Sequence, residues 1–319
     1  VYKRQIDKAR QGVKVRLLYD DVGCWKVDSM FYDQMLCEGI EVQSFLKVRF
    51  PRFTSKVNYR NHRKIAVIDG RVGFIGGMNI AERYVKGVSW GIWRDTHVRI
   101  EGKGVYGLQS SFLTDWYVVE RTLLTSAEYY PKIPDRGTAI AQVVTSDPVG
   151  EWHDMMQGLM KAVCSARHYF YVETPYFLPA EEVMAAFQIA ALAGVDVRIM
   201  LPKRADTFLT HEGSLSYLDE LMKAGVKVYL YRKGFLHSKL WVSDDEFASV
   251  GSTNMDFRSF EHNFEANVFF YDKATIKQLK EVFLSDQKSC LQLSRKIWSQ
   301  RSWKNKVMES VVRLLAPLL

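Results

Sequence analysis

Apolar positions along the chain recur with two periods, and the elements they predict alternate. Val13 to Tyr19 is a β-branched, alternating run and predicts a strand. Residues 28–38 set Met30, Phe31, Met35 and Leu36 on one side of a short helix closed by Gly39, and a strand over 40–45 follows. Strands over 64–69 and 72–76 are expected to form a hairpin across Asp69-Gly70. A strand from Trp93 to Ile100 and an amphipathic helix over 103–121 come next. Residues 122–137 contain Pro131, Pro134 and Gly137 and hold neither period, so they are the expected connection between two halves, 1–121 and 138–319. The second half predicts strands over 139–145, 168–173, 195–201 and 226–231, with helices over 151–165, 180–193 and 211–224 between them. A hairpin over 239–250, a strand over 264–271 and helices over 273–288 and 304–319 complete it. Strands alternating with helices imply an α/β sandwich, largely parallel at first and with hairpins at its end.

The two halves echo each other. Val1 to Arg10 followed by Gly12-Val13-Lys14-Val15-Arg16-Leu17-Leu18 parallels Ala185 to Ala193 followed by Gly194-Val195-Asp196-Val197-Arg198-Ile199-Met200. Far more chain precedes that glycine in the second half. With Val1 in place of a Met, this predicts a fragment whose leading strand, helix and strand lie upstream. Lys47 to Arg60 has no counterpart in the second half. This basic and aromatic stretch is expected to be either a solvated loop or a rim that attracts phosphate-bearing ligands.

The echo is sharpest at His62-Arg63-Lys64-Ile65-Ala66-Val67-Ile68-Asp69, which returns as His237-Ser238-Lys239-Leu240-Trp241-Val242-Ser243-Asp244. Gly76-Gly77-Met78-Asn79 follows the first copy and Gly251-Ser252-Thr253-Asn254 the second, all at one offset of 175 residues. A single His-x-Lys reads as a half-buried strand with a basic edge; two in one frame do not. If each lies on a strand, residues i and i+2 share a face, so each half offers one imidazole beside one ammonium. Halves packed about a pseudo-twofold axis would bring His62, Lys64, His237 and Lys239 into one site. Such a site suits a phosphodiester. One neutral His attacks phosphorus, the other protonates the leaving oxygen, and the lysines stabilise charge on the non-bridging oxygens. Asn79 and Asn254 add neutral donors. Carboxylates on the second imidazole nitrogens would set the tautomers, and each half supplies one downstream of its own His: Asp95 after His62, Glu265 after His237. Asp69 and Asp244 complete the repeated catalytic motif, but their place at a hairpin turn favours a structural anchor. His97, His153, His168, His211 and His262 fall in no repeated frame.

Two HxKxxxxD motifs, each with a G-[GS]-x-N run, resemble the phospholipase D superfamily over nearly the whole chain. Tyr59 to Lys64, Gly76 to Ile80, Trp93-Arg94-Asp95-Thr96-His97, Glu173-Thr174-Pro175-Tyr176-Phe177 and the Leu-Leu-Ala-Pro-Leu-Leu ending are similar to bacterial cardiolipin synthases in particular. The resemblance implies two phospholipase D-like halves around one active site. It also implies joining of two phosphatidylglycerol molecules with release of glycerol, through a phosphatidyl-histidine on His62 with His237 as acid and base. It implies no metal or other cofactor, and N-terminal anchoring helices at a bacterial inner membrane with the catalytic part on the cytoplasmic side. Lipid hydrolysis or nuclease action by the same fold are the alternatives, and a scaffold without activity is opposed by the intact His and Lys in both halves.

Charge agrees with an anionic partner. The chain has 44 basic against 36 acidic residues, net +8, and a pI near 9.1. An anionic phospholipid at a membrane surface is the expected partner, and nucleic acid is not expected. Cys24, Cys37, Cys164 and Cys290 lie too far apart for a zinc knuckle or disulfide framework. No metal-ligand cluster is visible, and no apolar run reaches the length of a membrane span. The final helix carries Met308, Val311, Val312 and Leu315 at i, i+3, i+4 and i+7, first of all a core-facing stripe, with an apolar end able to dip into a bilayer.

Overall fold

The computed structural model describes residues 2–48 and 58–316. Most of the basic-aromatic insertion, residues 49–57, lies outside the described residues. The first half runs α1 (Tyr2–Arg10), β1 (Arg16–Asp20), α2 (Ser29–Cys37), β2 (Glu41–Phe45), β3 (Arg60–Asn61), β4 (Ile65–Ile68), β5 (Val72–Gly76), β6 (Ile92–Arg94), β7 (His97–Glu101) and α3 (Val105–Glu120). The second runs β8 (Ala141–Ser146), α4 (Asp154–Ser165), β9 (Tyr169–Glu173), β10 (Phe177–Leu178), α5 (Glu181–Leu192), β11 (Asp196–Pro202), α6 (Phe208–Ser216), α7 (Leu218–Lys223) and β12 (Lys227–Tyr231). It continues with β13 (Gly234–Leu236), β14 (Leu240–Ser243), β15 (Phe247–Gly251), β16 (Met255–Asp256), α8 (Phe257–Glu261), β17 (Asn263–Phe270), α9 (Lys273–Gln287), β18 (Cys290–Gln292), α10 (Arg295–Ser299) and α11 (Trp303–Leu314).

A sheet ordered β18-β12-β11-β9-β14-β15-β17-β3, with β8 also paired to β17, organises the second half. Its β9, β11 and β12 are parallel, while β14, β15 and β17 pair antiparallel. The alternation of each strand feeds two cores. Phe170 and Val172 of β9, Val197 and Ile199 of β11 and Trp241 of β14 pack beneath α4, α5 and α7. Tyr169, Tyr171, Leu240 and Val242 face the other way, onto Ile276, Leu279 and Phe283 of α9. With both faces covered, these strands are largely apolar, with charge only at Glu173 of β9 and at Asp196 and Arg198 of β11. That second core also takes in Ile75 of β5 and Leu108 of α3, so side chains of the first half complete it. A smaller cluster of Ile6, Met35, Ile40 and Val42 supports the parallel pair β1–β2.

Three predicted elements come out differently. The strand expected over 93–100 is broken at Asp95-Thr96 into β6 and β7, which join different sheets. The helix expected over 211–224 is two, α6 and α7, meeting at Tyr217. The core-facing stripe of the last helix holds only in part. Val312 is buried, but Met308 (44%), Val311 (52%) and Leu315 (40%) are exposed. Buried Glu309, bonded to Arg301 at 3.1 and 2.6 Å, takes the inward position next to Val312.

Candidate active site

Neither His-x-Lys lies on a strand. His237, Ser238 and Lys239 occupy the break between β13 and β14, and His62 to Lys64 the break between β3 and β4. Each break separates strands of different sheets, and the strand before each His pairs with the opposite half. β13 runs parallel to β6, with Phe235 opposite Trp93 and Leu236 opposite Arg94, and the His237 N–H donates to the Arg94 carbonyl at 2.7 Å. β3 runs parallel to the start of β17, and the His62 N–H donates to the Phe264 carbonyl at 2.9 Å. Each histidine therefore hangs from a strand of the other half.

That suspension corrects the expected carboxylate pairing. Asp95 follows β6 and Glu265 lies on β17, so the partners cross. Nδ1 of His62 lies 2.8 and 3.1 Å from the Glu265 oxygens, and Nδ1 of His237 lies 2.7 Å from Asp95 Oδ2. Side-chain exposure is 25% for His62 and 6% for His237. The lysines fold back over the same turns. Lys64 Nζ donates to the His62 carbonyl at 2.6 Å, and Lys239 Nζ donates to the His237 carbonyl at 2.5 Å and lies 2.9 Å from its Nδ1.

The electrostatics divide the two carboxylates. Burial would push Glu265 up, but the charges of His62 and Lys64 and bonds from His62 and Ser252 outweigh it and hold the carboxyl at about 2. Burial wins at Asp95, raising it to about 6 against Lys239, the Thr96 N–H and Lys64. Burial also lowers Lys64 to about 7 and Lys239 to about 8. It takes His62 below its ordinary value despite Glu265, and His237 well below it with help from Lys239 and Lys64. Both imidazoles are thus neutral near pH 7. With Glu265 ionised, the His62 proton sits on Nδ1 and leaves Nε2 with a free lone pair.

Asn79 and Asn254 stand differently. Asn79 Nδ2 donates to the Tyr84 hydroxyl at 3.4 Å, and that hydroxyl lies 3.0 Å from His237 Nδ1. Asn254 is buried; its N–H donates to Ser259 Oγ, while its Oδ1 finds no partner among the described residues. Asp69 and Asp244, grouped by the motif with the catalytic set, sit instead at the hairpin turns with positive φ of 53° each. Asp244 accepts the N–H groups of Arg167, His168 and Tyr169 at 2.6, 3.0 and 2.7 Å, at the far end of β14 from His237. Those three bonds tie the Asp244 turn to the start of β9.

Tyr84 and Phe235 beside His237 escaped the sequence reading, because no repeated frame marks them, and Trp93 entered it only within a resembling string. Ser252 escaped it too, although it stands in the repeat opposite Gly77. A Cβ on Gly77 would fall 2.4 Å from Asp95 Oδ1, so that position must be bare where Asp95 enters. Among the described residues no group of His, Cys, Asp and Glu is arranged to hold a metal ion, and no helix is long and apolar enough to cross a membrane.

Two α/β halves sharing a site of two His-x-Lys turns define a phospholipase D-type protein. The sequence model of the family described as "Cardiolipin synthase, PLD-like domain" matches residues 1–114 and 159–287, and the chain belongs to that family. A cardiolipin synthase of Geobacillus kaustophilus (strain HTA426) is 44% identical over 317 residues, covering 98% of this chain and 63% of that protein. One of Listeria innocua serovar 6a is 40% identical over 315 residues, covering 98% and 65%. The chain thus spans a little less than two thirds of these relatives. The phosphatidylserine synthase of Haemophilus influenzae Rd KW20 shares the fold, with a TM-score of 0.67 at 13% identity over 99% of this chain and 91% of that one.

Proposed function

We propose that the chain is the catalytic part of a cardiolipin synthase, transferring a phosphatidyl group from one phosphatidylglycerol to another with release of glycerol. The observation that carries this is the pair of crossed His–carboxylate contacts, one with an ionised partner and one with a partner poised near 6. Pairs whose environments push them apart take separate roles in acid–base chemistry. Identity of 40–44% to cardiolipin synthases across nearly the whole chain supplies the substrate class.

His62 Nε2 attacks phosphorus. The P–O bond to glycerol breaks, and His237 gives that oxygen its proton. An anionic phosphodiester between the lysines raises the pKa of His237, Lys64 and Lys239, so the cations the reaction needs are recruited by the substrate itself. The acceptor's primary hydroxyl then gives its proton to His237 and displaces His62 from phosphorus. Lys64 and Lys239 neutralise the non-bridging oxygens in both steps, with Asn79 and Asn254 as added donors. The substrates are bilayer lipids, so the site works at a membrane surface, to which the net charge of +8 is suited. Attack by water in the second step would make the same site a hydrolase.

Incubation of the protein with labelled phosphatidylglycerol tests the reading. Cardiolipin plus glycerol is the expected outcome; phosphatidic acid plus glycerol alone would identify a hydrolase. His62→Ala and His237→Ala are each expected to abolish product, and substantial activity in both would end the two-histidine mechanism.

A further inference from the structure

Transfer and hydrolysis differ only in which hydroxyl reaches the phospho-histidine, so the surroundings of His237 bear on the choice. A cleft of about 580 Å³ opens beside the Asp95–His237 pair. Buried Trp93 and Tyr231 and the enclosed side chain of Asp95 line it, together with Tyr84, hydrogen-bonded to His237. Exposed Lys233 and Ile92 (63%) lie at its mouth. Arg94, the other cation of the lining, is held by Asp286 at 2.7 Å, whereas Lys233 stands in solvent.

The stretch beside the mouth exposes apolar side chains around one ion pair, Lys86 with Glu82 at 2.8 Å. Between residues 78 and 92 the chain exposes Met78 (43%), Ile80 (69%), Val85 (85%) and Ile92, four large apolar side chains within one short stretch. Such a stretch on a surface marks a contact with something apolar. It is also fixed to the site rather than adrift from it. Asn79 and Tyr84 connect it to His237, the Arg83 guanidinium lies 4.4 Å over the Trp93 ring, and the Gly91 backbone is pressed against Lys233 and Gly234 so closely that a Cβ would fall 2.5 Å from the Lys233 carbonyl.

We propose that this cleft is the acceptor subsite, and that its occupant is a second anionic phospholipid bearing a free primary hydroxyl. The volume suits a headgroup and not a diacyl lipid, so the acyl chains must leave over apolar side chains, as Met78, Ile80, Val85 and Ile92 provide. A headgroup phosphate entering from the bilayer meets Lys233, a cation that the reacting phosphodiester does not use. The headgroup hydroxyl then reaches inward to His237. There its proton passes to the imidazole, its oxygen forms the new bond to phosphorus, and the bond from phosphorus to His62 breaks. Filling the cleft with lipid also displaces the water that would otherwise attack, so the subsite both supplies the acceptor and suppresses hydrolysis.

This inference rests on the transferase reading, and the experiment separates the two. Labelled phosphatidylglycerol in mixed vesicles is given to the parent protein, Lys233→Glu, Ile92→Asp and Lys233→Arg, and the ratio of cardiolipin to phosphatidic acid is measured. Both products arise from one phospho-histidine, so the ratio does not depend on how much protein is folded. The ratio is expected to fall at least tenfold in Lys233→Glu and Ile92→Asp and to be largely kept in Lys233→Arg. An unchanged ratio in the first two variants, with both products still formed, overturns the subsite and leaves the transferase standing. A parent protein that makes phosphatidic acid alone overturns the transferase and the subsite with it.

Discussion

One residue of the repeat adds to the difference between the two histidines. At the position after the repeated glycine, the first half has Gly77, bare and pressed against Asp95, and the second has Ser252, whose hydroxyl donates to Glu265. A donor to the ionised form lowers a carboxyl pKa, and burial raises one. His62 and Lys64 do most to hold Glu265 at about 2, with the Ser252 hydroxyl adding to them, whereas burial prevails at Asp95 and sets it at about 6. Ser252→Ala is therefore expected to raise the Glu265 pKa, and Glu265→Gln, which removes the charge holding the His62 tautomer, to lower kcat by roughly 10²–10⁴-fold. Steady-state kinetics with phosphatidylglycerol checks both. The lysines set the alkaline side. Lys64 near 7 and Lys239 near 8 carry charge below those values and lose it above them, so kcat/KM, which reports the free protein, is expected to fall as pH rises through 7–8. Bound phosphodiester favours the charged ammonium, so the limb in kcat is expected at higher pH. Coincident limbs in the two profiles would count against the lysines as phosphate ligands.

At the scale of elements, function depends on strands that stop. A continuous strand through His62 or His237 would bury the imidazole in one sheet. A break between strands of two sheets lets the turn project a histidine and a lysine into the space between the halves. Gly234 opens β13 at φ 154°, and a Cβ there would lie 2.0 Å from the Ile92 carbonyl on β6. Gly234→Ala is expected to part β13 from β6 at a cost of roughly 1–3 kcal/mol, a drop in the urea midpoint, and to cost activity through the lost His237–Asp95 contact. Apolar period exposed the long elements because β9, β11, β12 and β17 run five to eight residues. It had no purchase on β3, β10, β13 and β16, two or three residues each, which carry too few positions to show a period. Two of those short strands dictate the crossed pairing, which is why the offset of 175 singled out all four His and Lys residues while the choice of a carboxylate from each His's own half went wrong. The break at Asp95 lies in the polar run Arg94 to His97, where no apolar position marks which side of a strand is which.

At the scale of the molecule, neither half holds a complete His–carboxylate pair, so activity measures whether the halves are seated on each other. Their shared core does the seating. Ile75 of β5 and Leu108 of α3, both fully buried, pack in one cluster with Leu236, Leu240 and Val250 of the second half. Independent halves would unfold in two steps, the smaller core of Ile6, Met35, Ile40 and Val42 first. A core built from both halves instead couples them, and Ile75→Ala tests which holds. Removing that side chain leaves a cavity expected to cost about 2–5 kcal/mol. With shared packing, the urea transitions followed by far-UV circular dichroism and by activity shift together to a lower midpoint. In a molecule of separable halves, activity would be lost in an early transition while most of the second half's ellipticity remained. His62 gives a second readout of the same coupling. Its strand is held from the first half by Asp20, which accepts the Asn61 N–H at 2.9 Å and Arg60 Nε at 2.8 Å, and from the second by β17. Loosening either hold moves His62 away from Glu265. Ile75→Ala near its new midpoint is therefore expected to lose phosphatidyl transfer with no window of folded but inactive protein.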